Sequence, residues 1–335
     1  NPTTPTNAPI NPTTPTNAPI NPTTPTNAPI NPTTPTNPPV NPPVDPAECP
    51  AKPSGTVDDL SNNPISYKKN SILYGCSLNI KSRIDSYLHC VSLYSCTFKD
   101  LQDSSTEGGG AIYISTKSGN PNNNIYNYID HCKFTNCRST QGGALSISTA
   151  QPSRLFNITS CTFESNEATT NGGGAICFKG VYSIIEGCKF INNKANEKGN
   201  DIYFKCGEIS SNDKQGFTIQ NNKFEINVDR SSSIIYLDWI KTSDFAFYSN
   251  EVTINNNNNE LYFFEFNGSP DDVSENTMNI SSNCITSLTY VCKTEDLMKD
   301  KFTSGFSTDC SNLPTEPINP TTPTNAPINP TTPTN

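Results

Sequence analysis

Cysteine is the residue with the most evident chemical potential in this chain, which holds 13 Cys among 335 residues. Only two His, His89 and His131, accompany them, and no Cys-x-x-Cys pair occurs. The ligand spacing of a zinc site is therefore missing, and the sequence predicts neither a metal nor a cofactor. Four of the cysteines recur in a Cys-x-Phe motif, and they are Cys96, Cys132, Cys161 and Cys188.

Paired carboxylates are the second feature that could carry chemistry, because glycoside hydrolysis uses two of them. Asp58-Asp59 and Asp271-Asp272 are such pairs, but their surroundings are typical of solvated turns. No Ser/His/Asp order and no glycine-rich phosphate loop accompanies them. We therefore expect no catalytic residue and no enzyme activity.

The net charge of the chain restricts which kinds of binding partner we expect. Asp and Glu number 31 against 22 Lys and Arg, a formal net charge of -9. Because binding to a phosphate backbone needs clustered Lys and Arg, we expect no nucleic-acid partner. No apolar run approaches the ~20 residues that cross a bilayer, so we expect no direct membrane insertion in this segment.

Both ends of the chain consist of the decapeptide Asn-Pro-Thr-Thr-Pro-Thr-Asn-Ala-Pro-Ile and its variants. Pro removes backbone donors and the unit carries no charge, so it can neither pair into a sheet nor bury a core. We expect disordered stalks over residues 1–48 and 313–335 and a folded domain with caps over 49–312. The composition suits a mucin-like, O-glycosylated stalk, with an unmodified spacer as the alternative. Since the chain begins and ends inside one repeat, we expect a piece of a longer protein.

A repeat organises the region between the stalks. Its anchor recurs eight times, first as Cys and later as Asn, at Cys76, Cys96, Cys132, Cys161, Cys188, Asn222, Asn250 and Asn283. The residue two places after each anchor is apolar, and the four Cys-x-Phe copies place Phe98, Phe134, Phe163 and Phe190 there. The residue three places before each anchor is also apolar. Side chains alternate with period two along a strand, so two residues an odd number of positions apart cannot both point inward on one straight strand. A bend must therefore lie between the anchor and the apolar residue three places before it.

A glycine turn leads into a third strand, as in Gly142-Gly143-Ala144-Leu145 and Gly173-Gly174-Ala175-Ile176. Three short strands per 20–36 residues describe one coil of a right-handed parallel β-helix, and about eight such coils stack to bury one core. We predict this all-β fold, with like residues in ladders. The predicted Asn ladder places Asn166 on Asn193 and Asn227, five residues after their anchors.

The motif Phe-x-x-Asn followed by Gly-Gly-Ala-Ile resembles the polymorphic outer-membrane protein (Pmp-like) repeat of chlamydial and protist-parasite surface proteins. It is present as Phe163-Glu164-Ser165-Asn166 with Gly173-Gly174-Ala175-Ile176, and the resemblance covers about residues 93–204. It implies a β-helical, adhesin-like protein at a cell surface. The bacterial members carry a C-terminal membrane barrel that this sequence does not show.

The stacked cysteines have two interpretations. Neighbouring coils bring their Cα atoms into disulfide range, but parallel side chains favour free, buried thiols at Cys96, Cys132, Cys161 and Cys188. Cys49, Cys292 and Cys310 lie outside the ladder and are the candidates for disulfides in end caps. We also predict a short amphipathic helix over Lys293–Phe306 that caps the rod through Leu297 and Met298.

Three N-glycosylation sequons begin at Asn157, Asn267 and Asn279. Ile158 and Ile280 fall in an inward column, so we expect Asn157 and Asn279 to point outward. Chance occurrence in an Asn-rich chain is the alternative.

These features together predict a non-enzymatic, adhesin-like or structural β-helix on Pro/Thr-rich stalks, at a cell surface or secreted. The expected partner is a host-cell or matrix protein or a glycan. The alternative function is a carbohydrate-active β-helix enzyme of the polysaccharide lyase or hydrolase kind, and a third is an antigenic decoy.

Overall fold

A computed structural model describes residues 49, 52, 57–62, 72–87, 90–116, 127–149, 155–180, 182–205, 215–227, 233–238, 243–255, 261–267, 278–292, 299–311 and 313. The stalk predicted for residues 1–48 lies outside these ranges, as does the second stalk apart from Leu313. Among the described residues, no helix has the length and apolar character that crossing a membrane requires.

Strands dominate the described residues. In chain order they are β1 Val57–Asp59, β2 Ile72–Cys76, β3 Asn79–Ile80, β4 Ile84–Tyr87, β5 Cys90–Tyr94, β6 Thr97–Lys99, β7 Ile112–Thr116, β8 Asn127–Asp130, β9 Lys133–Thr135, β10 Arg138–Ser139, β11 Leu145–Thr149, β12 Leu155–Thr159, β13 Thr162–Glu164, β14 Glu167–Ala168, β15 Ile176–Lys179, β16 Tyr182–Glu186, β17 Lys189–Ile191, β18 Lys194–Ala195, β19 Ile202–Lys205, β20 Gln215–Gln220, β21 Lys223–Ile226, β22 Ile235–Asp238, β23 Ser243–Tyr248, β24 Glu251–Ile254, β25 Phe264–Asn267, β26 Met278–Ser281, β27 Asn283–Ile285 and β28 Phe306–Ser307. One α-helix, α1 Lys299–Ser304, and two 3-10 turns, Leu60–Asn62 and Leu288–Tyr290, complete the described elements.

The strands form parallel sheets, and each coil from β2 to β25 contributes one strand to each of three sheets. Sheet 1 has the order β1-β2-β5-β8-β12-β16-β20-β23-β26, and sheet 2 has the order β3-β6-β9-β13-β17-β21-β24-β27-β28. Sheet 3 has the order β4-β7-β11-β15-β19-β22-β25. The pairings are parallel, for example β12 with β16, β13 with β17 and β15 with β19. This is the predicted parallel β-helix, and its sheet 1 spans about 38 Å from β1 to β26 at ~4.8 Å between strands.

The core is built from like residues stacked coil on coil. Phe163 pairs with Phe134 on one side and with Phe190 on the other, and all three side chains are fully buried. Their ring centroids lie 4.9 and 5.1 Å apart with the ring planes nearly parallel. Phe98 extends the stack at 4.7 Å from Phe134. The predicted Phe column is therefore continuous, because parallel in-register strands place equivalent positions directly above each other.

The predicted bend lies at the residue before each anchor from Cys96 onward, and at Ser77 in the first repeat. These residues adopt a left-handed backbone with φ between 50° and 62°, and they are Ser77, Ser95, His131, Ser160, Gly187, Asn221, Ser249 and Ser282. The left-handed conformation turns the chain from sheet 1 into sheet 2 and reverses the face on which the alternation continues.

The glycine turn forms the next corner. Gly142 has φ 55°, and a Cβ on Gly143 would overlap the carbonyl oxygen of Gly174 in the next coil. Glycine is needed there for close backbone approach as well as for its conformation. A fourth sheet of two-residue strands, β10-β14-β18, precedes this turn in three coils of the described chain, and the sequence pattern does not predict it.

The C-terminal end of the rod is closed partly as predicted. Helix α1 ends at Ser304 rather than at the predicted Phe306, and residues 293–298, which include Leu297 and Met298, lie outside the described residues. Phe302 of α1 is fully buried and stacks on Phe264 with 4.7 Å between ring centroids. Strand β28 then pairs with β27 at the end of sheet 2.

Candidate functional site

The anchor column forms one continuous hydrogen-bonded ladder. The backbone amides of Cys96, Cys132 and Cys161 each donate to the thiol sulfur of the anchor in the next coil, with 3.4 Å between N and Sγ. The Cys188 amide donates to Oδ1 of Asn222 at 2.8 Å, and the Asn222 and Asn250 amides continue the series. The ladder ends where the Asn283 amide donates to the carbonyl oxygen of Gly305. Each anchor side chain thus satisfies a backbone donor at the corner, which assigns the column a structural role.

The first repeat differs from the predicted register by two residues. Gly75 rather than Leu73 pairs with Leu93, and Ile80 pairs with Phe98. Leu78 therefore occupies the anchor position of that coil in place of Cys76. The left-handed residue Ser77 directly precedes Leu78, which explains the shift, since the corner determines where the anchor falls.

The second Asn ladder is shorter than predicted. The Cys137 amide donates to Oδ1 of Asn166, and the Asn166 amide donates to Oδ1 of Asn193, each at 2.9 Å. Asn227, predicted as the next member, is instead exposed. In the earlier coils, a left-handed residue directly precedes Cys137, Asn166 and Asn193. In the next coil, strand β21 instead continues through Ile226, and Ile226 is buried where the ladder residue would otherwise lie.

Disulfides occur at both ends of the described rod. Cys49 joins Cys76 and Cys284 joins Cys310, with 5.8 and 5.3 Å between Cα atoms. Cys292, the third candidate for a cap disulfide, is buried and forms a parallel bridge with Phe264 of sheet 3. The ladder cysteines Cys96, Cys132, Cys161 and Cys188 are buried free thiols.

The three sequons differ in exposure. Asn279 is exposed on the outer face of β26, and Asn267 is exposed with its Nδ2 donating to Asp238 at 2.9 Å. Asn157 also faces outward from sheet 1, but it is only 9% exposed and its Oδ1 is buried without a hydrogen-bond partner among the described residues. The prediction of glycosylation at these positions stays a prediction, and burial disfavours it at Asn157.

Asn157 lies in a group of outward side chains on three adjacent strands. It is in register with Tyr128 on one side and with Ile184 on the other, and Tyr128 is 37% exposed. Two residues further along each strand, Asp130, Thr159 and Glu186 form the neighbouring row. We call Tyr128, Asp130, Asn157, Thr159 and Glu186 the Asn157 face.

The polar row of the Asn157 face is rich in acceptors. Oδ1 of Asp130 accepts a hydrogen bond from the Thr159 hydroxyl at 2.6 Å and lies 2.9 Å from Nδ1 of His131. Nδ2 of Asn221 donates to Oε1 of Glu186 at 3.3 Å. Burial raises the pKa of Glu186 above its ordinary value. The sequence pattern did not single out Asp130 or Glu186, because neither belongs to a local carboxylate pair.

A second ionisable cluster surrounds Arg83 beside sheet 3. Its guanidinium lies 2.8 Å from Asp85 and 2.5 Å from Asp103, and it lies 3.7 Å from Glu107. Burial raises the pKa of Asp85. Burial also acts to raise the pKa of Asp103, but hydrogen bonds from Ser105 and the charge of Arg83 hold it below its ordinary value. No local sequence pattern signals this cluster, since its members are up to 24 residues apart and meet only through the coil.

Of the local carboxylate pairs noted in the sequence, Asp58-Asp59 lies among the described residues. Asp59 accepts hydrogen bonds from Lys52 and Ser61, which hold its pKa at about 2. Asp271 and Asp272 lie outside the described residues, as does His89. Within the described ranges, no group of three or more His, Cys, Asp or Glu is placed to hold a metal ion.

The geometry therefore presents a scaffold of buried ladders with two outward groups, the Asn157 face and the Arg83 cluster. Comparison with known proteins finds no matching family, no matching curated relative and no matching solved structure.

Proposed function

We propose that this protein is a non-enzymatic, adhesin-like β-helix, displayed at a cell surface or secreted, that binds a host-cell or matrix component. The observation that carries the proposal is that inward and outward positions of the coils have different roles. Inward and corner residues are used by the Phe, Cys and Asn ladders, which leaves the outward rows free to differ from coil to coil. A rigid scaffold with a non-repeating outer surface suits recognition.

The disulfides support an extracellular location. Cys49–Cys76 and Cys284–Cys310 join parts of the chain at the two ends of the rod. Structural disulfides persist in oxidising compartments and are rare in the cytosol. The Pmp-like motif at Phe163–Asn166 and Gly173–Ile176, together with the Pro/Thr-rich ends, favours the same location.

Binding of the full chain to cells tests this function. The 335-residue protein, secreted from a eukaryotic host, is titrated onto cultured cells, immobilised matrix proteins and a glycan array. Saturable binding that is lost after reduction and unfolding is expected. Absence of saturable binding to every one of these surfaces would contradict the proposal.

The Arg83 cluster favours a carbohydrate-active enzyme as the second candidate. It brings two carboxylates with oppositely shifted pKa values against one guanidinium, and such pairs serve as acid and base in polysaccharide cleavage. Release of reducing ends or unsaturated products from a polysaccharide panel is the test. Activity that Asp85→Ala and Asp103→Ala abolish, and that the exposed-site control Asp309→Ala retains, would establish this function in place of the first.

A further inference from the structure

The Asn157 face combines a protruding aromatic ring with a recessed, unsatisfied acceptor. Tyr128 is one of two large apolar side chains that are exposed among the described residues, the other being Leu288. Its register neighbour Asn157 is more than nine-tenths buried, and the Asn157 Oδ1 meets no donor there. A buried acceptor without a donor is unfavourable, so this atom calls for a donor beyond those of the described residues.

The surrounding groups restrict the chemistry of that donor. The side chains of Asp130 and Glu186 flank Thr159 in the row beside Asn157, and both present carboxyl oxygens. The Thr159 hydroxyl already donates to Asp130. A matching ligand must therefore supply hydrogen-bond donors and should not carry negative charge, because like charges repel at a partly desolvated site.

We propose that the Asn157 face binds a neutral oligosaccharide. A sugar ring would lay its C–H face on Tyr128 and direct hydroxyl donors to Oδ1 of Asn157 and to the carboxylate of Asp130. The aromatic ring provides apolar area at low conformational cost, and the polar row provides the orientation. This inference rests on the proposed adhesive function and names the ligand class and the position of its site.

Asn157 is also the first residue of an N-glycosylation sequon. A glycan attached to Asn157 would occupy the same face and block the site. The proposal therefore expects Asn157 to remain unmodified in the secreted protein, whereas Asn279, exposed at the far end of sheet 1, has room for a glycan.

The test measures binding of the secreted full chain to soluble oligosaccharides in matched neutral and sialylated forms. The neutral forms end in galactose, mannose, fucose or N-acetylglucosamine. The native protein should bind at least one neutral form and bind its sialylated counterpart at least ten-fold more weakly. Tyr128→Ala should lower the affinity at least ten-fold, whereas Leu288→Ala, which removes the other exposed apolar side chain, should leave it unchanged.

Asp130→Asn is the second variant, and it keeps the shape of the side chain while removing its charge. It should narrow the difference between neutral and sialylated forms at least three-fold. Circular dichroism and thermal midpoints verify that each variant is folded, and peptide mass spectrometry measures glycan occupancy at Asn157.

The outcomes separate this inference from the proposed function. Neutral-sugar binding that is unchanged in both folded variants, selective binding of sialylated forms, or an N-glycan on Asn157 would each overturn the inference while adhesion stands. Saturable binding to cells or matrix proteins without any oligosaccharide binding would also overturn it and leave the adhesive function intact. Failure of every binding assay would remove both.

Discussion

The Oδ1 of Asn222 accepts a hydrogen bond from the backbone amide of Cys188 at 2.8 Å, in the place where earlier coils use a cysteine sulfur. The same anchor position thus accepts from the preceding coil through a thiol at Cys188 and through an amide at Asn222. Asn222 also donates from Nδ2 to the carbonyl oxygen of Ile185 and to Oδ1 of Asn250, each at 3.0 Å. The two residue types are equivalent at this corner because each offers an acceptor of suitable reach.

Substitution of Asn222 tests this equivalence. Asn222→Ala leaves the buried Cys188 amide without its acceptor and removes the Nδ2 hydrogen bonds to Ile185 and Asn250, and we expect a loss of about 3 kcal/mol in the free energy of unfolding. Asn222→Cys should cost clearly less, because the sulfur can accept the Cys188 bond. Denaturant titrations measure both, with the exposed Asn227→Ala as the control, and equal losses for the Ala and Cys variants would contradict the assignment.

Ser160 tests the corner conformation. Its φ of 51° is costly for a residue with a Cβ, and Gly187 occupies the same corner one coil later. We expect Ser160→Gly to be neutral or to stabilise the protein by up to about 1 kcal/mol, and Ser160→Val to destabilise it by about 1–2 kcal/mol. Thr218→Gly, in the extended strand β20, should instead lose about 0.5–1 kcal/mol. A stability gain for the Val variant would be incompatible with the left-handed corner.

The buried thiols should resist alkylation in the native state. Burial raises the pKa of Cys137 to about 11 and that of Cys177 to about 11, so few thiolates form at about pH 8, and access is blocked as well. Iodoacetamide labelling followed by peptide mass spectrometry should modify these two thiols only after unfolding. Cys310, freed from Cys284 by mild reduction, is the exposed control that should react in the folded protein. Rapid labelling of Cys137 in the native protein would count against its burial.

The raised pKa of Glu186 predicts how the stability of the protein depends on pH. Burial raises its folded pKa above the ordinary value of 4.5, so at pH values between the two the folded protein retains a proton that the unfolded chain has released. The free energy of unfolding should therefore fall as the pH rises through this window. Glu186→Gln should flatten the profile between about pH 4 and about pH 7, as measured by denaturant midpoints, whereas Glu164→Gln on sheet 2 should retain the wild-type slope. An unchanged slope in Glu186→Gln would show that other groups cause it.

Much of the fold follows from spacing alone, because stacking in register turns every structural requirement into a repeated residue. The Phe column, the bend before each anchor and the glycine turn are all visible in the sequence for this reason. The first repeat departs from this pattern. Cys76 resembles the anchors by residue type, but the left-handed backbone at Ser77 makes Leu78 the anchor.

The sequence by itself determined the coil, its ladders and its corners, since each repeated position reports the same local constraint many times. Only the tertiary structure decided which outward residues meet. Tyr128, Asp130, Asn157 and Glu186 lie up to 58 residues apart in the chain and become neighbours through parallel strand pairing. Arg83 meets Asp103 and Glu107, which lie between β6 and β7 of the next coil. These contacts occur once rather than in every coil, so no periodic signal records them, and the surfaces available for function follow from the three-dimensional arrangement.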